Sequence, residues 1–333
     1  MSMDDKFLDE LENCELCEWR CGVNRLEGEL GVCMLEKPKI ASTTLHPAPP
    51  QSYTVFMAGC NFRCLNCQNW SIAHYPVQDV SIRGYVEPKK LAKEAVSKIN
   101  SPRGSLIGAD RIFFSGGSPT PSLPYIEKVV EEADKKDSEI KVNYDTNGFM
   151  TSRSLKRVLE ISDSITFDIK AFQDYIHKEL TGAPVEPVLK NAKELVEEAK
   201  EKLWEFRYLL IPGINDEDVR PLAQFLSEID EELPLNFLAF RPNFVMENYP
   251  GAREKDMIEV VKIAKKAGLV NVSWSGRIGL PGKVDIKEED RSGAKIAGDV
   301  AEEVGCINRP RKCGFCESLF SCPIKNYRAN RKT

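Results

Sequence analysis

The feature that most constrains the fold is an alternation of strand-like and helix-like patterns that begins near residue 53. Short apolar runs typical of strands occur at 53–58, 111–114, 140–144, 164–168, 206–210 and 236–240, with a possible seventh at 269–274. Between them, apolar residues recur with a helical period at 88–99, 123–133, 153–161, 187–199, 218–229 and 254–267. Ser152 precedes the third of these helices as a candidate N-cap. Alternating strands and helices pair in parallel, and six or seven units are too few to close an eight-stranded barrel. We therefore predict an α/β fold built as a partial (β/α)6 barrel.

The composition is that of a soluble globular protein. Hydrophobic residues make up 42% of the 333 residues and charged residues 29%. No apolar run approaches the length of a membrane span. The N-terminus, MSMDDKFLDELEN, is acidic and lacks the apolar core of a secretory signal. We expect a cytoplasmic protein with no membrane partner.

Eleven cysteines divide into groups of four, three and four along the chain. They lie at 14, 17, 21 and 33, then at 60, 64 and 67, and finally at 306, 313, 316 and 322. Because the cytosol keeps thiols reduced, this number of cysteines indicates metal sites rather than disulfides. The grouping predicts a cysteine-rich N-terminal segment at 1–45, a core at 46–285 that begins with the proline-rich linker 46–50, and a cysteine-rich C-terminal segment at 286–333.

The middle group has the strongest chemical signature. Cys60, Cys64 and Cys67 lie in AGCNFRCLNCQNW, directly after the first strand-like run. Three thiolates on one loop can hold three irons of a 4Fe-4S cube and leave the fourth iron open for a ligand. A zinc knuckle or a plain electron-transfer cluster is the alternative for this motif taken alone.

The motif resembles that of the radical S-adenosylmethionine (radical SAM) superfamily, in particular the activating enzymes of glycyl-radical enzymes. The resemblance extends to five further stretches: FSGGSPT at 114–120, DTNGF at 145–149, DIK at 168–170, HKELTG at 177–182 and FRYLLIPG at 206–213. It implies a catalytic 4Fe-4S cluster on Cys60, Cys64 and Cys67. It also implies that S-adenosylmethionine binds the open iron and is cleaved by one electron to a 5′-deoxyadenosyl radical.

The resemblance assigns the cofactor-binding residues position by position. The glycine turn Gly116–Gly117 lets the backbone approach the cofactor closely, and Ser118 stands where the family often has Glu. Lys170 and Arg207 contact the cofactor, as expected for cations facing a carboxylate. The resemblance also implies a monovalent cation site at Asp145, Thr146 and Asp168. It implies a further cofactor contact at Arg241, where the family has histidine.

The two outer cysteine groups admit either iron–sulfur clusters or zinc. Cys14, Cys17, Cys21 and Cys33 resemble the N-terminal segment of an activase-like branch, and Cys306, Cys313, Cys316 and Cys322 resemble part of an auxiliary-cluster domain in peptide-modifying radical SAM enzymes. A mixed set of ligands from both termini is a third arrangement. The C-terminal tail from residue 306 carries seven basic residues and one acidic residue, which favours offsetting an anionic cluster over binding nucleic acid.

These features predict a radical SAM enzyme that abstracts hydrogen from a protein or peptide residue. The product is either a glycyl radical or another peptide modification, and the resemblance implies an external electron donor of the ferredoxin or flavodoxin type. A cobalamin-dependent C-methyltransferase acting on a protein such as methyl-coenzyme M reductase is an alternative, although no recognisable cobalamin-binding domain supports it. A non-catalytic iron–sulfur carrier or zinc scaffold on the same fold is the remaining hypothesis.

Overall fold

The computed structural model describes residues 3–77, 80–282 and 292–329, with side chains from residue 6 onward. Its strands, numbered β1 to β8, are Ile40–His46, Ser52–Met57, Arg111–Gly116, Lys141–Thr146, Ser164–Asp168, Leu203–Leu210, Leu235–Ala239 and Val272–Ser275. They follow one another in the sheet in chain order. The predicted α/β class, with mostly parallel strands in a sheet that is not closed, is confirmed.

The helices alternate with these strands as the sequence predicts. In chain order α1 to α11 are Trp70–Ala73, Pro88–Ile99, Pro102–Ile107, Leu123–Asp134, Ser152–Ile161, Asp174–Thr181, Glu186–Ala199, Val219–Ile229, Glu254–Lys266, Gly293–Glu303 and Pro323–Asn326. Short 3-10 helices are Met3–Asn13, Arg25–Glu27, Thr120–Ser122, Lys200–Lys202, Phe244–Met246 and Cys313–Phe315. No helix in the described part of the chain is long and apolar enough to cross a membrane.

The chain divides into two compact units. The first unit comprises Met1–Asn61, Asn69–Thr166 and Glu198–Leu203. In it β1 pairs with β2 in antiparallel fashion, while β2 and β3, and β3 and β4, pair in parallel. Its strands bury apolar side chains such as Val55, Ile112 and Tyr144.

The second unit comprises Phe62–Gln68, Phe167–Glu197 and Trp204–Thr333. Here β6 pairs in parallel with β7, and β7 pairs in parallel with β8. β8, at Val272–Ser275, confirms the possible seventh strand, although it begins three residues later than predicted. The side chains of Phe206, Tyr208 and Phe237 are fully buried between these strands and the helices that follow them.

Two details differ from the sequence expectations. The helix α5 is capped by Thr151 rather than Ser152, because the Thr151 hydroxyl accepts the Ser154 amide at 3.3 Å. Ser152 is instead the first residue of that helix. The predicted linker at 46–50 overlaps the end of β1 and the residues 47–51 that connect β1 to its antiparallel partner β2. The strand β1 itself crosses position 45. The three-segment division of the chain stays a prediction.

Candidate active site

The loop after β2 carries the first of the three central cysteines. Ala58 and Gly59 follow the strand, and the Gly59 amide donates to the Ile72 carbonyl at 2.8 Å. Gly59 has a φ of +77°, and a Cβ there would lie 2.5 Å from Leu35 Cγ, so only glycine fits. Cys60 comes next and is 7% exposed. The sharp turn at Gly59 therefore takes the chain out of the strand and places Cys60 in a protected position.

The glycine turn after β3 packs on this same loop. The Gly117 amide donates to the Met57 carbonyl and the Ser118 amide to the Gly59 carbonyl, each at 2.9 Å. A Cβ on Gly117 would lie 2.0 Å from the Gly59 oxygen. Carbonyls of the chain therefore already accept the amides of Gly117 and Ser118. The two glycines instead permit close backbone contact with the segment that ends at Cys60.

Ser118 nevertheless offers a polar group at this turn. Its side chain is 2% exposed, and its hydroxyl has no hydrogen-bond partner among the described residues. A buried hydroxyl without a partner is costly, so a polar ligand there would be stabilising. The assignment of Gly116, Gly117 and Ser118 to cofactor binding stays a prediction, with the Ser118 hydroxyl as a group that can donate or accept a hydrogen bond.

The DTNGF motif after β4 makes two hydrogen bonds with Asn61, the residue next to Cys60. Asn147 donates from Nδ2 to Asn61 Oδ1 at 2.8 Å, and Asn61 Nδ2 donates to the Phe149 carbonyl at 2.9 Å. Asp145, at the end of the strand, accepts a 2.5 Å hydrogen bond from the Ser115 hydroxyl. Asp145 and Thr146 of this motif are predicted to form a cation site together with Asp168. The motif also positions Asn61, in the loop that carries Cys60.

Trp19, in the N-terminal cysteine segment, also makes a hydrogen bond with Asn61. Its indole Nε1 donates to the Asn61 carbonyl at 2.7 Å, and its ring lies 5.0 Å from the ring of Phe149. Sequence reasoning missed this residue. The available signal was a tryptophan inside Cys17-Glu-Trp-Arg-Cys21, since a buried indole usually needs an acceptor.

The four N-terminal cysteines are brought together beside a buried arginine. Burial raises the pKa of the Cys17 thiol well above its usual value, and the nearby Cys21, Cys33 and Cys14 thiolates raise it further. Arg25 is 1% exposed, and its Nη1 lies 3.6 Å from Cys14 Sγ. The four N-terminal thiols therefore lie near one another and near the Arg25 guanidinium, and their role as metal ligands stays a prediction.

In the second unit, the rest of the central cysteine motif is held by the C-terminal end of α6. The Arg63 amide donates to the Thr181 carbonyl at 2.8 Å, and the Leu65 amide to the Leu180 carbonyl at 3.0 Å. These bonds flank Cys64, and Cys67 lies three residues after it. Both cysteines are partly exposed. Asn66, between the two cysteines, is 8% exposed.

His177, on α6, is buried and packs against Phe62 in the loop of the central cysteines. Its ring meets the Phe62 ring edge-on at 5.4 Å, and its Nδ1 donates to the Ala183 carbonyl at 2.7 Å. Burial lowers the pKa of His177 to about 4, so the ring is neutral near pH 7. The HKELTG motif thus supports the cysteine loop, with no acid–base role indicated.

The DIK motif and the arginine of β6 form a charge cluster. Asp168 ends β5, and its carboxylate accepts from Lys170 Nζ at 2.8 Å and lies 3.7 Å from Arg207 Nε. Burial acts to raise the pKa of Asp168, but the charges of Lys170 and Arg207 outweigh burial and hold it below the usual range. Glu205 also lies 3.4 Å from Arg207 Nε, so two carboxylates and two cations face one another here. The two cations are the groups of this cluster that suit an anionic ligand. Arg241, two residues after β7, is exposed and outside this cluster.

The C-terminal cysteines also come together. Cys306, Cys313, Cys316 and Cys322 all line one cavity of about 250 Å³. None of the eleven cysteines forms a disulfide. Within 3–77, 80–282 and 292–329, no three His, Cys, Asp or Glu side chains are arranged so that they could hold a metal ion.

Comparisons with known proteins place the chain in a family. The radical SAM superfamily model matches residues 54–226, just over half of the chain. The pyruvate formate-lyase-activating enzyme of Staphylococcus epidermidis is 30% identical over 196 residues, which cover 55% of this chain and 71% of that enzyme. An uncharacterized protein of Methanocaldococcus jannaschii is 26% identical over 265 residues, 76% of this chain and 73% of that protein.

Solved structures show weaker likeness. A domain of pyruvate-formate lyase-activating enzyme from Bacteroides vulgatus aligns with a TM-score of 0.42 and 20% identity, covering 49% of this chain and 98% of that chain. SuiB of Streptococcus suis, bound to its precursor peptide SuiA, aligns with a TM-score of 0.47 and 15% identity, covering 65% of this chain and 46% of that chain. The sequence matches carry the assignment: the chain belongs to the radical SAM superfamily and is related to the pyruvate formate-lyase-activating enzymes.

Proposed function

We propose that this protein is a radical SAM enzyme that abstracts a hydrogen atom from a residue of a protein or peptide. The observation that carries the proposal is the CxxxCxxC loop directly after β2, in a chain whose superfamily is shown by its sequence. Cys60, Cys64 and Cys67 would hold a 4Fe-4S cluster, which supplies the one electron that cleaves S-adenosylmethionine into methionine and a 5′-deoxyadenosyl radical. That radical would take a hydrogen atom from the substrate, leaving 5′-deoxyadenosine and a substrate radical.

The residues of the chain support the parts of this reaction that a protein must supply. Lys170 and Arg207 offer two cations to the carboxylate of the cofactor, and Asp168 orients both of them. The buried Ser118 hydroxyl offers a polar contact at the glycine turn. We also propose a cation site at Asp145, Thr146 and Asp168. Both of its carboxylates already have partners: Asp145 accepts from Ser115, and Asp168 pairs with Lys170 and Arg207.

The relationship to activating enzymes supports a macromolecular substrate. Two relatives, at 30% and 29% identity, are named for activating pyruvate formate-lyase, itself a protein. We therefore favour a protein or peptide residue as the hydrogen donor, with a glycyl radical or another modification as the product. The electron would come from a low-potential one-electron donor of the ferredoxin or flavodoxin type.

Cofactor cleavage without substrate tests the proposal. The full chain is reconstituted anaerobically with iron and sulfide, mixed with S-adenosylmethionine and dithionite, and assayed for 5′-deoxyadenosine by mass spectrometry. We expect product from the wild type and from the Gln68→Ala control, whose side chain is exposed in the same loop, and none from Cys64→Ala. A wild-type protein that binds its cluster and yields no 5′-deoxyadenosine would favour the carrier or scaffold hypothesis instead.

A further inference from the structure

The backbone that carries Lys170 is held from the loop that follows β6. Asn215 lies in this loop and is fully buried. Its Nδ2 donates to the Lys170 carbonyl at 3.2 Å and to the Leu209 carbonyl at 2.9 Å. Its Oδ1 accepts from the Ile211 amide at 2.8 Å. One side chain therefore joins the backbone of Lys170 to the end of β6, the strand that carries Arg207.

The side chain of Asp218 holds the residues that follow Lys170. Asp218 is the N-cap residue of α8, and Asp is among the preferred residues there, yet its side chain makes no capping hydrogen bond to that helix. Its Oδ2 instead accepts from the Phe172 amide at 2.7 Å and from the Gln173 amide at 3.1 Å. Burial raises the pKa of Asp218 above its usual value, although the two amides act to lower it. Asp218 therefore serves the segment before α6 as a hydrogen-bond acceptor.

Strand β6 itself completes this set of contacts. The Ile169 amide donates to the Arg207 carbonyl at 2.9 Å, next to the side chain that pairs with Asp168. The buried Tyr208 hydroxyl donates to the Asn215 carbonyl at 2.7 Å and so fixes Asn215 to the same strand. All these residues belong to the second unit. Most of the backbone from 169 to 173 is therefore held by β6 or by the residues that follow it.

The position of the Lys170 ammonium depends on this backbone. A lysine carries its charge on a flexible four-carbon stem, so the place of its Cα limits where Nζ can lie. Nζ donates to the Asp168 carboxylate at 2.8 Å, and 25% of the side chain is exposed, which leaves it accessible to a ligand. A binding group must be held to within about 0.5 Å by the residues that support it. Asn215 and Asp218 supply such support from outside β5.

We propose that Asn215 and Asp218 are positioning residues for cofactor binding. They fix the backbone of residues 170–173 and thereby place the Lys170 ammonium for the carboxylate of S-adenosylmethionine. This inference deepens the proposed function and rests on it for the identity of the ligand. The competing explanation is a role in folding alone, because buried hydrogen bonds stabilise a protein wherever they lie.

The contacts themselves are tested by amide hydrogen exchange in protein without S-adenosylmethionine. Because the Phe172 and Gln173 amides donate to Asp218, Asp218→Ala should speed their exchange about tenfold or more. Asp218→Asn keeps an acceptor oxygen and should stay within about twofold of wild type. Unchanged exchange in Asp218→Ala would overturn the inference, since the segment would then be held without this side chain.

A double-mutant cycle separates positioning from folding. Equilibrium binding of S-adenosylmethionine to the reconstituted full chain is measured for Asn215→Ala, with Lys170 present and in the Lys170→Met background. If Asn215 acts through Lys170, the variant should weaken binding about fivefold or more in the first case and less than about twofold in the second. The matched control is Asn143→Ala, at a fully buried position that bonds Ser164 and Thr166, and it should weaken binding less than about twofold in both backgrounds.

A second position keeps the cycle valid if Asn215→Ala fails to fold. Asp218→Ala should behave as Asn215→Ala does, while Asp218→Asn should restore affinity to within about twofold of wild type. Equal effects of Asn215→Ala or Asp218→Ala in the two Lys170 backgrounds, with binding by the wild type intact, would overturn the inference and leave the proposed function standing. A wild-type protein that holds its cluster and binds no S-adenosylmethionine would instead refute the proposed function, and this inference with it.

Discussion

Arg311 reaches across 248 positions of the chain to donate a 2.6 Å hydrogen bond to the backbone oxygen of Arg63. Both arginines are buried, and Arg63 immediately precedes Cys64. The C-terminal cysteine segment therefore helps to set the backbone of the cluster loop. A change in the C-terminal segment should therefore affect the loop that carries Cys64, and the next experiment tests this coupling.

Gly182 is the point where α6 and the C-terminal cysteine segment meet. Its φ is +82°, and a Cβ there would lie 2.1 Å from Cys313 Sγ. We expect Gly182→Ala to displace Cys313 and to lower both the iron content and the midpoint of urea unfolding. The control Gly108→Ala has a φ of +74° with nothing within 4 Å of its Cβ, so it should lose only the about 1–2 kcal/mol of left-handed strain. Equal losses in the two variants would show that contact with Cys313 is unimportant.

Trp19 links the N-terminal cysteine segment to the cluster loop. Trp19→Phe keeps an aromatic ring against Phe149 but removes the donor to the Asn61 carbonyl. Leaving that buried carbonyl without its partner should cost about 1–3 kcal/mol of unfolding free energy. We also expect faster loss of iron to a chelator, while Trp204→Phe, at a 39% exposed position, should behave as wild type. Unchanged iron release in Trp19→Phe would remove this contact from the account.

Lys170 is expected to bind the cofactor carboxylate. Lys170→Met should weaken S-adenosylmethionine binding about tenfold or more, since a charge-assisted hydrogen bond contributes about 1.5–3 kcal/mol. The matched control is Lys178→Met, because Lys178 lies on the next helix and pairs with Asp174. Equilibrium binding to reconstituted protein measures both variants. Equal affinities for wild type and Lys170→Met would refute the assignment.

The buried His177 makes stability depend on pH below neutrality. Its native pKa of about 4 lies below the about 6.5 of the unfolded chain, so the neutral ring favours folding fully above pH 6.5. That contribution is lost progressively as the pH falls from about 6.5 to about 4. His177→Gln, which still offers a donor to Ala183, should reduce the loss of unfolding free energy over this range by about 1–3 kcal/mol. An unaltered pH profile in His177→Gln would contradict the burial argument.

Local patterns in the sequence predicted most of the framework. The period of the helices and the apolar strand runs locate α2, α4, α5 and β5 to within one or two residues, because each signal is contained in its own segment. Local signals fail where neighbours compete: Ser152 and Thr151 are both good caps, and only the backbone geometry selects Thr151. β1, with the polar sequence IASTTLH, is stabilised by pairing with β2 rather than by its own pattern.

The candidate site was harder to predict because its contacts are distant in sequence. The spacing of cysteines predicted three thiol groups, and the structure gathers the two outer groups as expected. No local signal connects Arg311 to Arg63 or Trp19 to Asn61. The two glycines of the turn indicate close backbone approach without saying of what. Here the closest neighbour of Gly117 is the Gly59 carbonyl.

The central claim is that the cluster of Cys60, Cys64 and Cys67 has an iron open to S-adenosylmethionine. The most direct measurement is the electron paramagnetic resonance spectrum of the reduced protein with and without S-adenosylmethionine, in a chain with Cys316→Ala and Cys17→Ala to simplify the signal from the outer cysteine groups. The account predicts that adding the cofactor shifts the spectrum of the reduced cluster, and that Cys64→Ala abolishes the shifted signal. A reduced cluster whose spectrum is identical with and without S-adenosylmethionine would contradict it.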